Sequence, residues 1–336
     1  MKADTRFVLL ALVVVVFLIG RLQYSKTFFV TTGVTTVASD CPIQVNYTNR
    51  PNGIRTRSSS SSTLIIRLKG RLGNMMFQYA SILGIATMGK FSNVVVENGE
   101  RLKEIFSLSN TKVSFSASNM SSTSIGEKAC YIFDKRIGTL NNSLSFRIDG
   151  YLVSWRYFEA IRDIVRKEFI FSTQISNKAC FRLHDVLKTF NVPNATFVGV
   201  HIRRGDFTYD SLKKLGYLTA PREYIIKSMN IFSNLYANCT VFIICSDEIK
   251  WTKDALSNVT SIYNIYFMES NSAEVDMAIL SKCNHTIITT GTFGWWAAWL
   301  AGGTTTVYKK PARENTFLSA QFNYTDYFYP CWLQID

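Results

Sequence analysis

Short apolar runs alternate with helix-period stretches from residue 63 to residue 308, and that alternation leaves few folds open to the chain. Residues 63–68, 94–96, 145–148, 196–202, 241–245, 286–290 and 305–308 read as strands. Residues 75–88, 156–169, 221–235, 273–281 and 295–300 read as helices between them. Strands alternating with helices build parallel sheets covered on both faces, so an α/β fold is predicted. At 336 residues there is room for two domains, and VLKTFNVPN (186–194) marks a boundary. Each half then reads as a Rossmann-like unit, 63–190 and 191–336.

The polar residues that interrupt this pattern gather where strands end. VGVHIRRGDF (198–207) runs from an apolar strand straight into Arg203, Arg204, Gly205 and Asp206. Open α/β sheets bind ligands outside the carboxyl ends of their strands. Paired guanidiniums there suit a diphosphate, although an ordinary basic turn has the same letters. GRLGN (70–74) lies between the first strand and first helix. Its glycines permit close backbone approach, the helix N-terminus attracts anions, and Arg71 adds a full charge.

TTGTFGWWAAWLAGG (289–303) offers an anion nest from the N–H groups of Thr292, Phe293 and Gly294 with the Thr292 hydroxyl. Trp295, Trp296 and Trp299 follow at helical spacing and read as core. In ICSDEIKW (244–251), Asp247 or Glu248 could hold a ribose or base N–H, or cap the next helix; capping is the preferred reading for one of them. Glu274-Val275-Asp276 is the nearest approach to a D-x-D metal motif and reads as a helix start, so no metal site is assigned.

Charge narrows the partners. Thirty-seven Lys and Arg against 24 Asp and Glu give +13, which favours an anionic ligand. The charges are spread, without a polybasic block, so nucleic acid is not predicted as a partner. Residues 7–20 are uninterruptedly apolar between Arg6 and Arg21. They span about 21 Å of helix against a hydrocarbon core of about 30 Å. A cleaved signal peptide fits that length, but Leu18 is too large for a small-residue cleavage site. Extension to Tyr24, with Arg21 snorkelling, makes a signal anchor. The reading is a cytoplasmic tail at 1–6, a transmembrane anchor at 7–24 and a stem at 25–62 ending in a serine run. Sequons at Asn46, Asn119, Asn141, Asn194, Asn238, Asn258, Asn284 and Asn323 all follow the anchor, which supports a luminal remainder, although a chain rich in Asn, Ser and Thr also forms sequons by chance. Of seven cysteines, six paired would allow fifteen connectivities, with Cys245 suited to be a buried free thiol.

Five blocks in series then resemble the galactoside α-1,2-fucosyltransferase family: GRLGNMMFQYA (70–80), GYLVSWRYF (150–158), VHIRRGDF (200–207), SDEIKW (246–251) and CNHTIITTGTFGWWAAWLAGG (283–303). The resemblance implies a GT-B architecture, two Rossmann-like domains facing a cleft, and a Golgi membrane protein of type II topology. It implies GDP-β-L-fucose as donor, a galactose-terminated glycan as acceptor, inversion at the fucose anomeric carbon, and no cofactor or metal. Arg203 falls on the diphosphate grip and is the catalytic candidate. His201, Arg204, Arg71, Gly73, Asn74, Asp247, Thr292 and Gly294 fall on donor-binding positions, with Arg71, Gly73 and Asn74 facing the sugar and acceptor. Asp206 is a base or a brace for the arginines, and Glu223 is a second base candidate by charge. The alternatives are a fucosyltransferase of different acceptor or linkage, and an inactive glycan-binding homologue. Residues 324–336 match nothing in the resemblance.

Overall fold

The computed structural model describes residues 62–192, 194–236 and 239–336. The expected tail and anchor, nearly all of the stem, and the sequons at Asn46 and Asn238 lie outside the described residues. Among the described residues no helix is long and apolar enough to cross a membrane.

Two parallel sheets carry the fold. The first has the order β3-β2-β1-β5-β4, from β1 (Thr63–Arg67), β2 (Asn93–Glu97), β3 (Val113–Phe115), β4 (Thr123–Gly126) and β5 (Phe146–Asp149). The second has the order β11-β10-β9-β6-β7-β8, from β6 (Thr196–Ile202), β7 (Thr240–Ser246), β8 (Asn264–Phe267), β9 (His285–Ile288), β10 (Thr305–Tyr308) and β11 (Leu333–Ile335). Apart from β5, the central strands are the apolar, β-branched runs that a sheet buried on both faces requires. The four strands that the apolar pattern does not reveal, β3, β4, β8 and β11, all lie at sheet edges. Edge strands are short and partly exposed, so they need no continuous apolar run.

Helix α1 (Leu72–Met88) has no charged residue and is buried almost all round. A helix apolar on every side belongs in an interior. Phe77 on α1 lies 4.6 Å from the Trp295 ring and 5.0 Å from that of Trp296, so α1 carries the contact between the two halves.

The helix expected over 156–169 is instead two 3₁₀ turns, Trp155–Tyr157 and Glu159–Ile161, followed by a short helix, Arg162–Glu168. Phe158 leaves helical geometry at φ −127°, ψ 3°, and its ring packs 5.3 Å from Trp296. Helix α2 (Thr173–Phe190) is absent from the sequence reading and occupies the start of the expected 186–194 boundary. It ends at Asn191, whose φ of 45° is left-handed. α2 packs against α3 (Ala273–Ser281), on the second sheet.

Six paired cysteines do not form. Cys130, Cys180, Cys239, Cys245 and Cys283 are free thiols, while Cys331 is disulfide-bonded. Cys245 and Cys283 are buried within the apolar layer, where a thiol packs as a small hydrophobe.

The chain end returns to the first half. Phe322 stacks on Tyr131 at 3.9 Å, and the two segments bond as a short parallel bridge. Asp326 accepts from the Phe133 amide at 2.9 Å and from Arg156 Nη1 at 2.8 Å. The chain then crosses back, and β11 pairs with β10.

Candidate active site

The carboxyl ends of both sheets converge. After β6, Arg203 points between two carboxylates: its guanidinium pairs with Asp206 on one side and Asp247 on the other. The Arg203 amide donates to Thr289 Oγ1 at 2.8 Å, which ties it to the end of β9. Its Cζ lies 4.8 Å from the Phe207 ring. A guanidinium has five N–H donors, so two carboxylates leave others for a ligand.

Asp206 spans the two halves. One oxygen faces Arg203, and the other accepts from Arg71 Nη2 at 2.9 Å. Asp247 also accepts the Arg204 amide at 2.8 Å, while the Arg204 guanidinium stacks 3.5 Å from the Trp251 ring. Asp247 therefore serves the arginine turn and does not cap a helix. The cap position of the helix Ile249–Leu256 belongs to Glu248, whose side chain makes no capping bond. The capping expected of these carboxylates is thus corrected: the Ser246 hydroxyl accepts from the Glu248 amide at 3.0 Å instead.

Helix α4 (Thr292–Ala301) starts beside this turn. Gly291 precedes it at φ 90°, a conformation that glycine adopts without strain, and a Cβ there would lie 3.9 Å from Arg203 Cγ. The first turn of α4 has no side-chain cap, so its N–H groups and the helix dipole stand next to Arg203. The N-termini of α1 and α4 meet here. Thr292 Oγ1 donates to Asn74 Oδ1 at 2.8 Å. A Cβ on Gly73 would sit 2.6 Å from the Thr292 carbonyl carbon, so only glycine permits this approach.

Gln78 fixes the loop that presents Arg71. Its side chain accepts the Lys69 amide at 3.1 Å and donates to the Lys69 and Asn74 carbonyls at 2.7 and 2.9 Å.

His201 lies under the arginine turn rather than at its surface. It is buried, its ring is 4.8 Å from Phe293, and a Cβ on Gly294 would touch its Nδ1. Burial, helped by the Arg203 charge, pushes its pKa down to about 3. The native state thus keeps it neutral, whereas an unfolded histidine protonates near 6.5. The unfolded chain binds more protons between about pH 6.5 and 3, so stability falls as pH drops through that window. Urea titrations at pH 7 and pH 5 are expected to show a larger loss for the wild type than for His201→Gln. Equal losses would remove His201 as the cause.

Trp295, Trp296 and Trp299 are buried, as their spacing predicts. Glu223 is exposed in the first turn of the helix Arg222–Tyr236, and Glu274 and Asp276 lie in the first turn of α3. The first-half strand ends add a cluster that the sequence reading lacks. Lys69 Nζ pairs with Asp149 at 2.6 Å and lies 5.0 Å from the Tyr151 ring, with Glu127 beside them. Its signal was hidden because Glu127 follows β4, an edge strand without apolar patterning.

Comparison with known proteins agrees with this architecture. Residues 30–336 match glycosyl transferase family 11. The galactoside alpha-(1,2)-fucosyltransferase 2 of Mus musculus is 29% identical, over 88% of this chain and 86% of that protein. The protein of the same name from Pongo pygmaeus is 31% identical, over 70% of this chain and 68% of its own. In fold, the chain is similar to an Arabidopsis thaliana FUT1 variant in complex with GDP, with a TM-score of 0.51 at 12% identity, covering 77% of this chain and 72% of that one. The two parallel sheets meet at their carboxyl edges and the match spans every described residue: the chain belongs to glycosyl transferase family 11 and is a glycosyltransferase.

Proposed function

We propose that this chain transfers L-fucose from GDP-β-L-fucose to the 2-hydroxyl of a terminal galactoside, with inversion and without a metal. The observation that carries this reading is the placement of Arg203, Arg71 and the uncapped start of α4 around one point at the junction of the two sheets. Fixed cations and N–H donors stabilise charge developing on a leaving diphosphate. The relatives' names supply the acceptor class and linkage.

In this reading the half around β6–β11 holds GDP, and the half around β1–β5 faces the acceptor. Arg203 takes the diphosphate, and the α4 start adds its amides. Arg204, over the Trp251 ring and with its amide on Asp247, stands at the nucleotide end. Asp206, gripped by two guanidiniums, is a brace rather than a base. His201 supports the α4 start from below. Attack opposite the departing phosphate converts a β-linked donor into an α-linked product.

The reading also takes residues 7–24 as a Golgi anchor, with the catalytic part in the lumen. The described sequons at Asn119, Asn141, Asn194, Asn258, Asn284 and Asn323 are all exposed, as a glycan requires. A soluble fragment beginning near residue 60 is expected to transfer fucose from GDP-fucose to a β-galactoside in the presence of EDTA. Linkage analysis should return fucose α-linked to O2. A dependence on a divalent cation would overturn the metal-free part, and a different linkage the acceptor assignment.

A further inference from the structure

The proposed reaction leaves one proton unassigned, that of the acceptor hydroxyl, and the first half has a carboxylate built for it. Strands β1, β5 and β4 are parallel neighbours, so the residues after them share one edge. Lys69–Arg71 follow β1, Gly150–Leu152 follow β5, and Glu127 follows β4.

Two backbone amides hold Glu127. Oε1 accepts from Tyr151 N at 2.5 Å and Oε2 from Leu152 N at 2.9 Å. The turn that presents them is unusual. Leu152 has a φ of 53°, a left-handed conformation that is costly for a bulky residue. A Cβ on Gly150 would come within 2.6 Å of the Glu127 carboxyl carbon. The backbone is therefore bent and stripped of a side chain where it meets this one carboxylate. Each oxygen keeps a second lone pair.

The site lies next to the donor machinery. The Tyr151 ring packs against Gly70, 3.2 Å from where a Cβ would stand, and the next residue, Arg71, bonds Asp206. Asp206 in turn holds Arg203. On the facing half, Tyr217 lies within electrostatic reach of Cys130, Tyr151 and Asp206.

We propose that Glu127 is the general base that accepts the acceptor hydroxyl proton during transfer. The inference rests on the fucosyltransfer reading above. In the step, the hydroxyl proton passes to a Glu127 oxygen as the acceptor oxygen bonds fucose C1. The bond from C1 to the β-phosphate oxygen breaks, and its electron pair leaves with GDP.

The surroundings suit a base that works near neutrality. Burial pushes the Glu127 pKa up to about 7, against the two amides and Lys69, with Asp149 adding to the rise. Cys130 and Tyr157 also lie within electrostatic reach of Glu127, and Lys69 is in reach of Tyr151. A base with a pKa near the working pH is the efficient one.

Glu127→Gln tests the proposal, with thermal melting and GDP binding measured alongside transfer. A wild type that fucosylates no galactoside would sink the fucosyltransfer reading itself, whatever the variant does. With an active wild type, Glu127→Gln is expected to bind GDP normally and to lose about 10²–10⁴-fold in transfer to the alcohol acceptor. Azide needs no deprotonation, so transfer to azide should survive in the variant. The wild-type profile should fall on the acid side with an apparent pKa near 7, and that limb should vanish in Glu127→Gln. Transfer within threefold of wild type, or equal losses with alcohol and azide, would overturn the proposal. If Glu127→Gln does not fold, Glu127→Asp decides: a titratable carboxylate should keep the acid limb at reduced kcat, and a flat profile would overturn it.

Discussion

Arg203→Ala is expected to abolish useful turnover while leaving a folded protein. Removing one preorganised donor from a developing oxyanion lowers kcat by roughly 10²–10³, about 2.7–4 kcal/mol. Arg203 is expected at or above that range, because it offers several N–H donors and a full charge. The fold should persist, since Asp206 keeps Arg71 and Asp247 keeps the Arg204 amide. Arg203→Lys is a sharper probe. Lysine retains the charge, but its single ammonium cannot span Asp206 and Asp247 while presenting a fork to a diphosphate. It should therefore fall well below wild type as well. Initial rates with saturating acceptor, together with GDP calorimetry, check both variants. Activity within threefold of wild type for Arg203→Ala would take Arg203 out of the site.

The second large effect concerns stability. Trp296→Ala is expected to cost about 3–5 kcal/mol, the range for truncating a buried aromatic side chain. Trp296 has no exposed surface and meets Phe77, Phe158, Phe169, Trp295 and Trp299 within 5.3 Å. Those rings come from both halves, so the cavity would open in the contact between them. A typical domain has only about 5–15 kcal/mol of stability in all. Urea denaturation should show a much lower midpoint and, with the halves uncoupled, a broader transition. A shift under 1 kcal/mol would show that this aromatic cluster is dispensable.

The sequence was legible where burial is symmetrical. β1, β2, β6, β7, β9 and β10 are flanked on both sides, and their residues are apolar enough to announce themselves. β3, β4, β8 and β11 are edges, and a strand such as Thr123–Gly126 is mostly exposed. Missing β4 also hid Glu127, because a carboxylate is suspicious only once a strand is known to end before it. The arginine turn was legible because polarity changes sharply after an apolar strand. Its internal wiring was not: a helix cap was expected of Asp247 or Glu248 because residue type alone does not say that the Arg203 guanidinium and the Arg204 amide both turn onto Asp247. The 156–169 stretch has a helical apolar face, and tertiary packing of Phe158 among the tryptophans overrides it.

The C-terminal segment that returns to Tyr131, Phe133 and Arg156 fixes an order of events during synthesis. The half of the protein that leaves the ribosome first lacks the stacking on Tyr131 and the carboxylate for Phe133 and Arg156 until residues 322–326 emerge. Trp295 likewise waits for the Tyr327 carbonyl, which accepts its indole N–H at 2.8 Å. The junction between the sheets therefore gains these last contacts only after residue 327 has emerged. A polypeptide stopped before residue 322 lacks these contacts and leaves aromatic surface from both halves uncovered.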